Sequence, residues 1–399
     1  MKKRLKLICT MLITSAVMLN LSGCWDSREL NTIGIVSGVG LDKATTPDDI
    51  EMTVQIANVS GEQQSSSMMS SQSSSNGTAS TGGSNFFNAK DTGPDVLSIL
   101  HKLTHAYSRK LYFSHNDLII LGEDLAKEGV RDSLDFFARS YEPRLTAYIF
   151  VAKGKAADVF DVQPNFEKIT AAEITMLMND PVGSIDKNVV QVSDLLVGLI
   201  SETTSAVAPM IEVKEQSGKK QIYVSGLAVF KKDKLVGELS AMESRGYKWV
   251  KSNIEYSALK VDIEGETAEI IVTSSKGKIT PQINDDGSVK IKVEITAEGS
   301  LDSQTGTVNL AELKNAKLLK KATESVIKKE VETTINKTRE LDADIFGFGD
   351  SIYQRHAREW KTLKPQWDQI YKNIEVDIDV KVELVGSGRI AKPLSPEKE

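Results

Sequence analysis

Cys24 carries the plainest chemistry in the chain. It closes the run Leu21-Ser22-Gly23-Cys24 and is followed by Trp25-Asp26. Ahead of it stand Lys2, Lys3, Arg4 and Lys6, then an apolar run from Leu7 to Leu19. That run is too short and too abruptly ended for a membrane span, and it has the layout of a secretory signal. Small residues closing on a cysteine form a lipoprotein signal, in which the Cys24 thiol takes a diacylglycerol thioether and becomes the first mature residue. The alternative is an ordinary signal peptide that leaves Cys24 as a free thiol. Burying a methylene contributes roughly 0.8 kcal/mol, so one acyl chain holds a protein only reversibly, whereas two keep it at a bilayer.

The other reactive side chains form no constellation. His101 and His105 are four apart on a predicted helix, a spacing that can grip a metal. The apolar stripe of that helix turns both toward solvent, and no His-Glu-x-x-His pattern or third ligand accompanies them. His115 and His356 stand alone and read as structural. Carboxylates are abundant without forming a catalytic pair. A Gly-x-Ser-x-Gly elbow and a phosphate loop ending in Lys-Ser or Lys-Thr are both missing. Gly347-Phe348-Gly349 is too short for a dinucleotide fingerprint and reads as a turn between helices. Trp360 and Trp367, seven apart, share a helical face; core is the main reading, with an interface or sugar platform as the other. No catalytic, cofactor-binding or metal-binding residue is assigned, and Cys24 is the one modification site.

The totals narrow the class. The chain has 399 residues, 40% hydrophobic and 26% charged, which is ordinary globular composition with room for two or three cores. Its net charge of −6 becomes more acidic once the basic leader is removed, which argues against nucleic acid as a partner. Of the two cysteines, Cys9 lies in the leader and Cys24 at the lipid site. The remainder is therefore expected to fold without disulfides, thiolate metal sites or a cysteine nucleophile.

Hydrophobic periodicity supplies the elements. Ile33–Leu41 reads as a strand with a face of glycines, implying close approach of a neighbour. Glu51–Ile56 is a second strand. Residues 61–85 are almost all Ser, Gln, Gly, Asn and Thr and read as disordered, with order resuming at Gly93-Pro94 and Pro94 at a first helical position. Val96, Ile99, Leu100, Leu103 and Tyr107 form a helical stripe. Leu118–Leu121 and Leu145–Ala152 read as strands, with helices at Glu123–Glu128, Asp132–Arg139, Ile169–Met178 and Val192–Glu202 and Pro181 between the last two. Ile222–Phe230 and Leu235–Leu239 make a hairpin, followed by a short helix at Ser240–Val250. Strands are expected at Val261–Ile263, Ala268–Thr273, Lys276–Ile283 and Val289–Ala297. An amphipathic helix over about 309–341, capped by Asn309, lies across a sheet whose last strand is Ile374–Leu384, wet on one face.

The expected fold is therefore α+β in three mixed α/β domains, the last with a long helix packed on a largely antiparallel sheet. The divisions are a signal at 1–23, an N-terminal domain at 24–207 with a Ser-rich insertion at 61–90, a middle domain at 208–275, a C-terminal domain at 276–392 and a tail at 393–399.

Four segments together resemble the Ger(x)C family, the lipoprotein C subunits of spore germination receptors. They are Gly23-Cys24-Trp25-Asp26 with Arg28-Glu29-Leu30; Phe113-Ser114-His115-Asn116 leading to Gly122-Glu123-Asp124-Leu125-Ala126; Gly226-Leu227-Ala228-Val229-Phe230 with Lys234-Leu235-Val236-Gly237 and Glu243-Ser244-Arg245-Gly246; and Phe346-Gly347-Phe348-Gly349 with His356, Trp360 and Trp367. The resemblance implies a non-enzymatic subunit of a nutrient receptor, without a cofactor. It would be lipid-anchored through Cys24 on the outer face of the spore inner membrane beside integral-membrane A and B subunits. A lipid-anchored solute-binding protein that captures the nutrient itself is the rival, and an anchored cell-wall hydrolase a second.

Overall fold

The computed structural model describes residues 2–19, 32–58, 85–179, 188–251, 254–263 and 265–386. Cys24, Pro181, the tail and nearly all of the Ser-rich stretch lie outside them. The leader forms α1 (Lys2–Leu19). Among the described residues no helix is long and apolar enough to cross a membrane.

The first half contains β1 (Ile33–Lys43), β2 (Ile50–Ala57), β3 (Phe86–Gly93), α2 (Val96–Ala106), β4 (Lys110–Tyr112), β5 (Leu118–Leu121), α3 (Glu123–Glu128), α4 (Arg131–Arg139), β6 (Tyr148–Ala152), α5 (Ala156–Phe160), α6 (Thr170–Asn179) and α7 (Val192–Ile200). There follow β7 (Val207–Gln216), β8 (Lys219–Lys231) and β9 (Lys234–Leu239). These strands form one sheet, ordered β3-β2-β1-β5-β6-β7-β8-β9, with β4 beside β1. Its centre, β1-β5-β6-β7, is parallel and its two margins are antiparallel hairpins. Leu118–Leu121 is buried at every position, as a parallel strand covered on both faces must be.

The glycine face of β1 is explained by α5. A Cβ at Gly38 would stand 2.6 Å from the Phe160 ring, and one at Gly40 would stand 3.1 Å from both Ala156 and Phe160. Asp42, at the end of the same strand, is buried and accepts the N–H groups of Ala156 at 2.8 Å and Ala157 at 2.9 Å. Burial pushes its carboxyl up from the ordinary value, opposed by those two bonds. Gly122 must be glycine because a Cβ there would lie 2.0 Å from Asp42 Oδ1.

The second half contains α8 (Ala241–Lys251), β10 (Ser257–Ile263), β11 (Glu266–Ile283), β12 (Val289–Thr305), α9 (Leu313–Glu340), α10 (Phe348–Arg355), α11 (Ala357–Leu363), α12 (Trp367–Asn373) and β13 (Glu375–Gly386). Its sheet runs β10-β11-β12-β13, antiparallel except for the β12–β13 pair. Along β12, Val289, Ile291, Val293, Ile295 and Ala297 face the core, with Lys290, Lys292 and Glu294 between them. The buried stripe of α9 includes Leu319, Ile327, Val331 and Ile335. The architecture is α+β, with the long helix on a largely antiparallel sheet.

Several expectations shift. Residues 86–90, assigned to the insertion, form most of β3, and Pro94 precedes the helix cap Asp95, whose carboxylate accepts the Ser98 N–H at 2.8 Å. The long helix is capped at Glu312; Asn309 instead accepts the Ala311 N–H at 3.1 Å in the preceding turn. The boundary expected at 207–208 falls at the start of β7, which is hydrogen-bonded to β6, and that at 275–276 falls inside β11. By sheet membership the chain divides between Leu239 and Ser257.

Helices α8 and α9 cross with almost nothing between them. A Cβ at Gly246 would stand 2.0 Å from Thr334 Oγ1 and 2.5 Å from the Glu330 carbonyl. Gly246→Ala is expected to lower unfolding stability by about 1–3 kcal/mol through overpacking, read from the urea midpoint. An unchanged midpoint would show that the two helices can part without cost.

Candidate functional site

The two halves are joined through β7–β9. Leu227 and Val229 belong to the C-terminal core, together with Val207 and Leu239, whereas Ala228 and Phe230 belong to the N-terminal core with Ala206 and Ala208. Alternate residues of one strand thus fill two different cores. Polar contacts reinforce the joint: the Ser205 N–H donates to the Asp344 carbonyl at 2.8 Å. Lys231 pairs with Asp342 and Asp368, and Lys364 with Glu202. At Gly237 the side chain of Leu341 takes the space a Cβ would need.

Beside this joint lies a cleft of about 970 Å³ between α7 and α8, with Asp194, Ser201, Thr204, Tyr247, Lys251 and Asp350 on its walls. Ile345 and Asp350, which flank the Phe346–Gly349 segment, both line it. Gly347 adopts φ 70°, which glycine takes without strain and which lets α10 start at Phe348. The Asp344 carboxylate accepts the N–H groups of Phe348 at 3.0 Å and Gly349 at 2.8 Å. Burial pushes this carboxyl up to about 6, while those N–H groups and nearby Lys251 pull it down. Aromatic rings continue inward: Tyr247 to Phe346 at 5.9 Å, Phe346 stacked on Phe348 at 5.3 Å, Phe348 to Tyr371 at 6.2 Å, and Tyr371 to Trp367 at 6.2 Å. Trp367 meets Trp360 edge-on at 5.2 Å, and both are buried, as core. A Cβ at Gly349 would stand 2.9 Å from each indole, so this glycine admits the pair.

A second polar centre sits under α8. Arg245 grips the buried Glu330 carboxylate, with Nε 3.2 and 3.0 Å from its two oxygens, and Trp249 Nε1 donates to Glu330 Oε2 at 2.8 Å. Glu243 and Ser240 cap the start of α8: the Ser240 N–H donates to Glu243 Oε2 at 2.7 Å and the Glu243 N–H to Ser240 Oγ at 3.3 Å. Thr334 Oγ1 donates to the Glu243 carbonyl at 2.9 Å. The run Glu243-Ser244-Arg245-Gly246 is thus a helix-docking device.

The other candidates stay apart. His101 and His105 are exposed on α2, as expected from its stripe. His115 is exposed at the end of a short 3₁₀ turn, where a structural role was expected, and His356 is half-buried at the break between α10 and α11. Among the described residues no group of three or more His, Cys, Asp or Glu side chains is gathered to hold a metal. Asp344 and Glu330 escaped the sequence reading. Their signal was a carboxylate just before Phe346 and a charged residue on the apolar stripe between Ile327 and Val331. The arrangement joins two cores around a cleft.

The fold is shared by a solved structure, and the sequence matches a group of known proteins. Residues 26–213 match the family described as "Spore germination protein N-terminal domain", and residues 225–388 match "Spore germination B3/ GerAC like, C-terminal". The chain is 29% identical to spore germination protein KC of Bacillus subtilis (strain 168) over 400 residues, covering 94% of each. It is 24% identical to spore germination protein B3 of the same organism, covering 94% of this chain and 97% of the relative. The crystal structure of the GerBC protein superposes with a TM-score of 0.57 at 20% identity, over 90% of this chain and all of that one, and shares the fold. The chain belongs to the Ger(x)C family of spore germination proteins, which is not a known enzyme family.

Arg245→Ala leaves Glu330 buried without its counter-charge and is expected to cost about 3–5 kcal/mol in chemical denaturation. Replacing both by apolar residues of similar size should recover most of that loss. Asp344 has its folded-state pKa above the ordinary 3.8, so the folded chain holds the extra proton more tightly. The stability of the natural chain relative to Asp344→Asn should therefore rise as pH falls through about 6. A flat difference across that range would mean the carboxyl titrates as it does unfolded.

Proposed function

We propose that this protein is the C subunit of a nutrient germinant receptor, held on the outer face of the spore inner membrane by a diacylglycerol thioether at Cys24. Its partners in this reading are the integral-membrane A and B subunits, and it acts by assembly and signalling, with no reaction of its own. The observation that carries the reading is the pair of adjacent family matches over residues 26–213 and 225–388. The leader and Leu21-Ser22-Gly23-Cys24 stand immediately ahead of them. Tethering beside membrane partners raises their effective concentration, so modest protein contacts suffice for assembly.

The cleft between α7 and α8 favours a second reading, a lipid-anchored binder of a small polar solute. Its walls carry both signs of charge, Asp194 and Asp350 against Lys248 and Lys251. Calorimetry with amino acids and sugars discriminates: tight binding by this chain alone supports the second reading.

Cys24→Ala is expected to release the protein from spore membranes and to weaken germination triggered by nutrients, while germination by agents that bypass receptors stays intact. Unchanged membrane retention, or equal loss of both responses, would refute the proposal.

A further inference from the structure

The outward face of α9 is a ridge of lysines. Lys314, Lys317, Lys320, Lys321, Lys328 and Lys329 are all exposed. At 3.6 residues per turn Lys314, Lys317, Lys321, Lys328 and Lys329 fall within about a third of the helix circumference, turned away from buried Leu319 and Thr323, with Lys320 at the margin beside Ile327. They span roughly 23 Å of helix. Among the described residues none of the six forms an ion pair. Several lysines elsewhere are matched with acids, as in Lys90–Asp161, Lys153–Glu238 and Lys290–Glu375. The one carboxylate between Leu313 and Lys329 is Glu324, which is turned to the sheet, where it accepts the Val382 N–H at 3.1 Å. Leu313 is 77% exposed and Leu318 37%, both on the lysine side.

We infer that this ridge lies on an anionic phospholipid surface and sets how the protein is oriented against the bilayer. A positive cluster of this density in a chain of net charge −6 is held together against its own repulsion, and a negative surface relieves that repulsion. Lys320 borders a cleft shared with Glu298 and Glu383, but the six lysines converge on no point, so they suit a plane of mobile anionic headgroups better than a fixed acidic site. Exposed leucines among lysines on a helix are the pattern of an interfacial contact, with Leu313 and Leu318 entering the headgroup layer. The opposite side of α9 is already taken by its sheet, so the helix lies on the surface and does not insert. The inference deepens the anchored reading: a tether at Cys24 fixes distance from the bilayer and leaves orientation free, and the ridge removes that freedom.

The test uses residues 25–399, which contain every core residue identified in either half, from Ile33 to Val382. With no leader and no lipid present, the outcome is independent of whether Cys24 is acylated. Co-sedimentation with phosphatidylglycerol vesicles is expected at low salt and lost at high salt, with no binding to phosphatidylcholine vesicles. Replacing Lys314, Lys317, Lys320 and Lys321 by Gln should weaken binding at least about tenfold with the thermal midpoint unchanged. The same change at Lys219, Lys220, Lys232 and Lys234 should leave binding intact. No binding to phosphatidylglycerol, equal binding to both lipids, or equal effects of the two variants would overturn the inference. So would normal vesicle binding by the first variant with lost capture of the receptor subunits, which would make the ridge a protein-docking face.

Discussion

Leu227, Ala228, Val229 and Phe230 look alternately into two cores, and the rest of the molecule is arranged around that constraint. A strand residue has two faces and no third, so a run with both faces buried cannot carry a polar side chain. The N-terminal sheet cannot end at β7, because β8 and β9 supply the apolar cover that both halves need. The contacts beyond the strand follow from this. Lys231 pairs across the joint to Asp342 and Asp368, and Ser205 donates to Asp344 from the last turn before β7. The halves are therefore joined through a shared strand and by polar contacts across the joint, with the cleft between α7 and α8 beside it.

Much of this was legible in the amino-acid order. Alternation placed β1, β2, β12 and β13, and helical spacing placed α2 and α9. Bare glycines in β1 announced a close neighbour that proved to be Phe160. The sequence was silent where burial and pattern part company. β3 reads Phe-Phe-Asn-Ala-Lys-Asp-Thr-Gly, a strand whose pairing with β2 gives it an identity its composition does not. β7 contains Pro209, which usually argues against an interior strand. Here the register with β8 slips between Pro209 and Ile211, and the irregularity accommodates the missing donor. Two expected strands fused into β11 for a similar reason, since slips at Glu269/Ile270 and Val272/Ser274 let one long strand follow the twist.

The expected divisions near 207 and 275 fall at the start of β7 and inside β11, because composition changes there while strand pairing continues. Pro209 looks like punctuation, yet it lies inside β7, which pairs with both β6 and β8. At the site, aromatic and glycine residues were visible as a motif, but their reason was not. Phe346-Gly347-Phe348-Gly349 makes sense only once Asp344 is seen to hold its N–H groups and Gly349 to admit two indoles. Glu330 was hidden by being averaged into an apolar stripe. A charged residue at a position that should be apolar was the one available hint.

The hairpin β7–β8 also bears on how such genes can be recombined. The first family region ends at residue 213 and the second begins at residue 225, both within the strands of that hairpin. A crossover there looks neat on paper and would pair one parent's strand with another's, while mismatching the side chains that must satisfy two interiors at once. A splice in the segment between Leu239 and Ser257 would carry the whole first sheet intact, but it would still ask a foreign α8 or sheet to receive Leu227 and Val229. Inheritance of these halves is thus tied together by geometry.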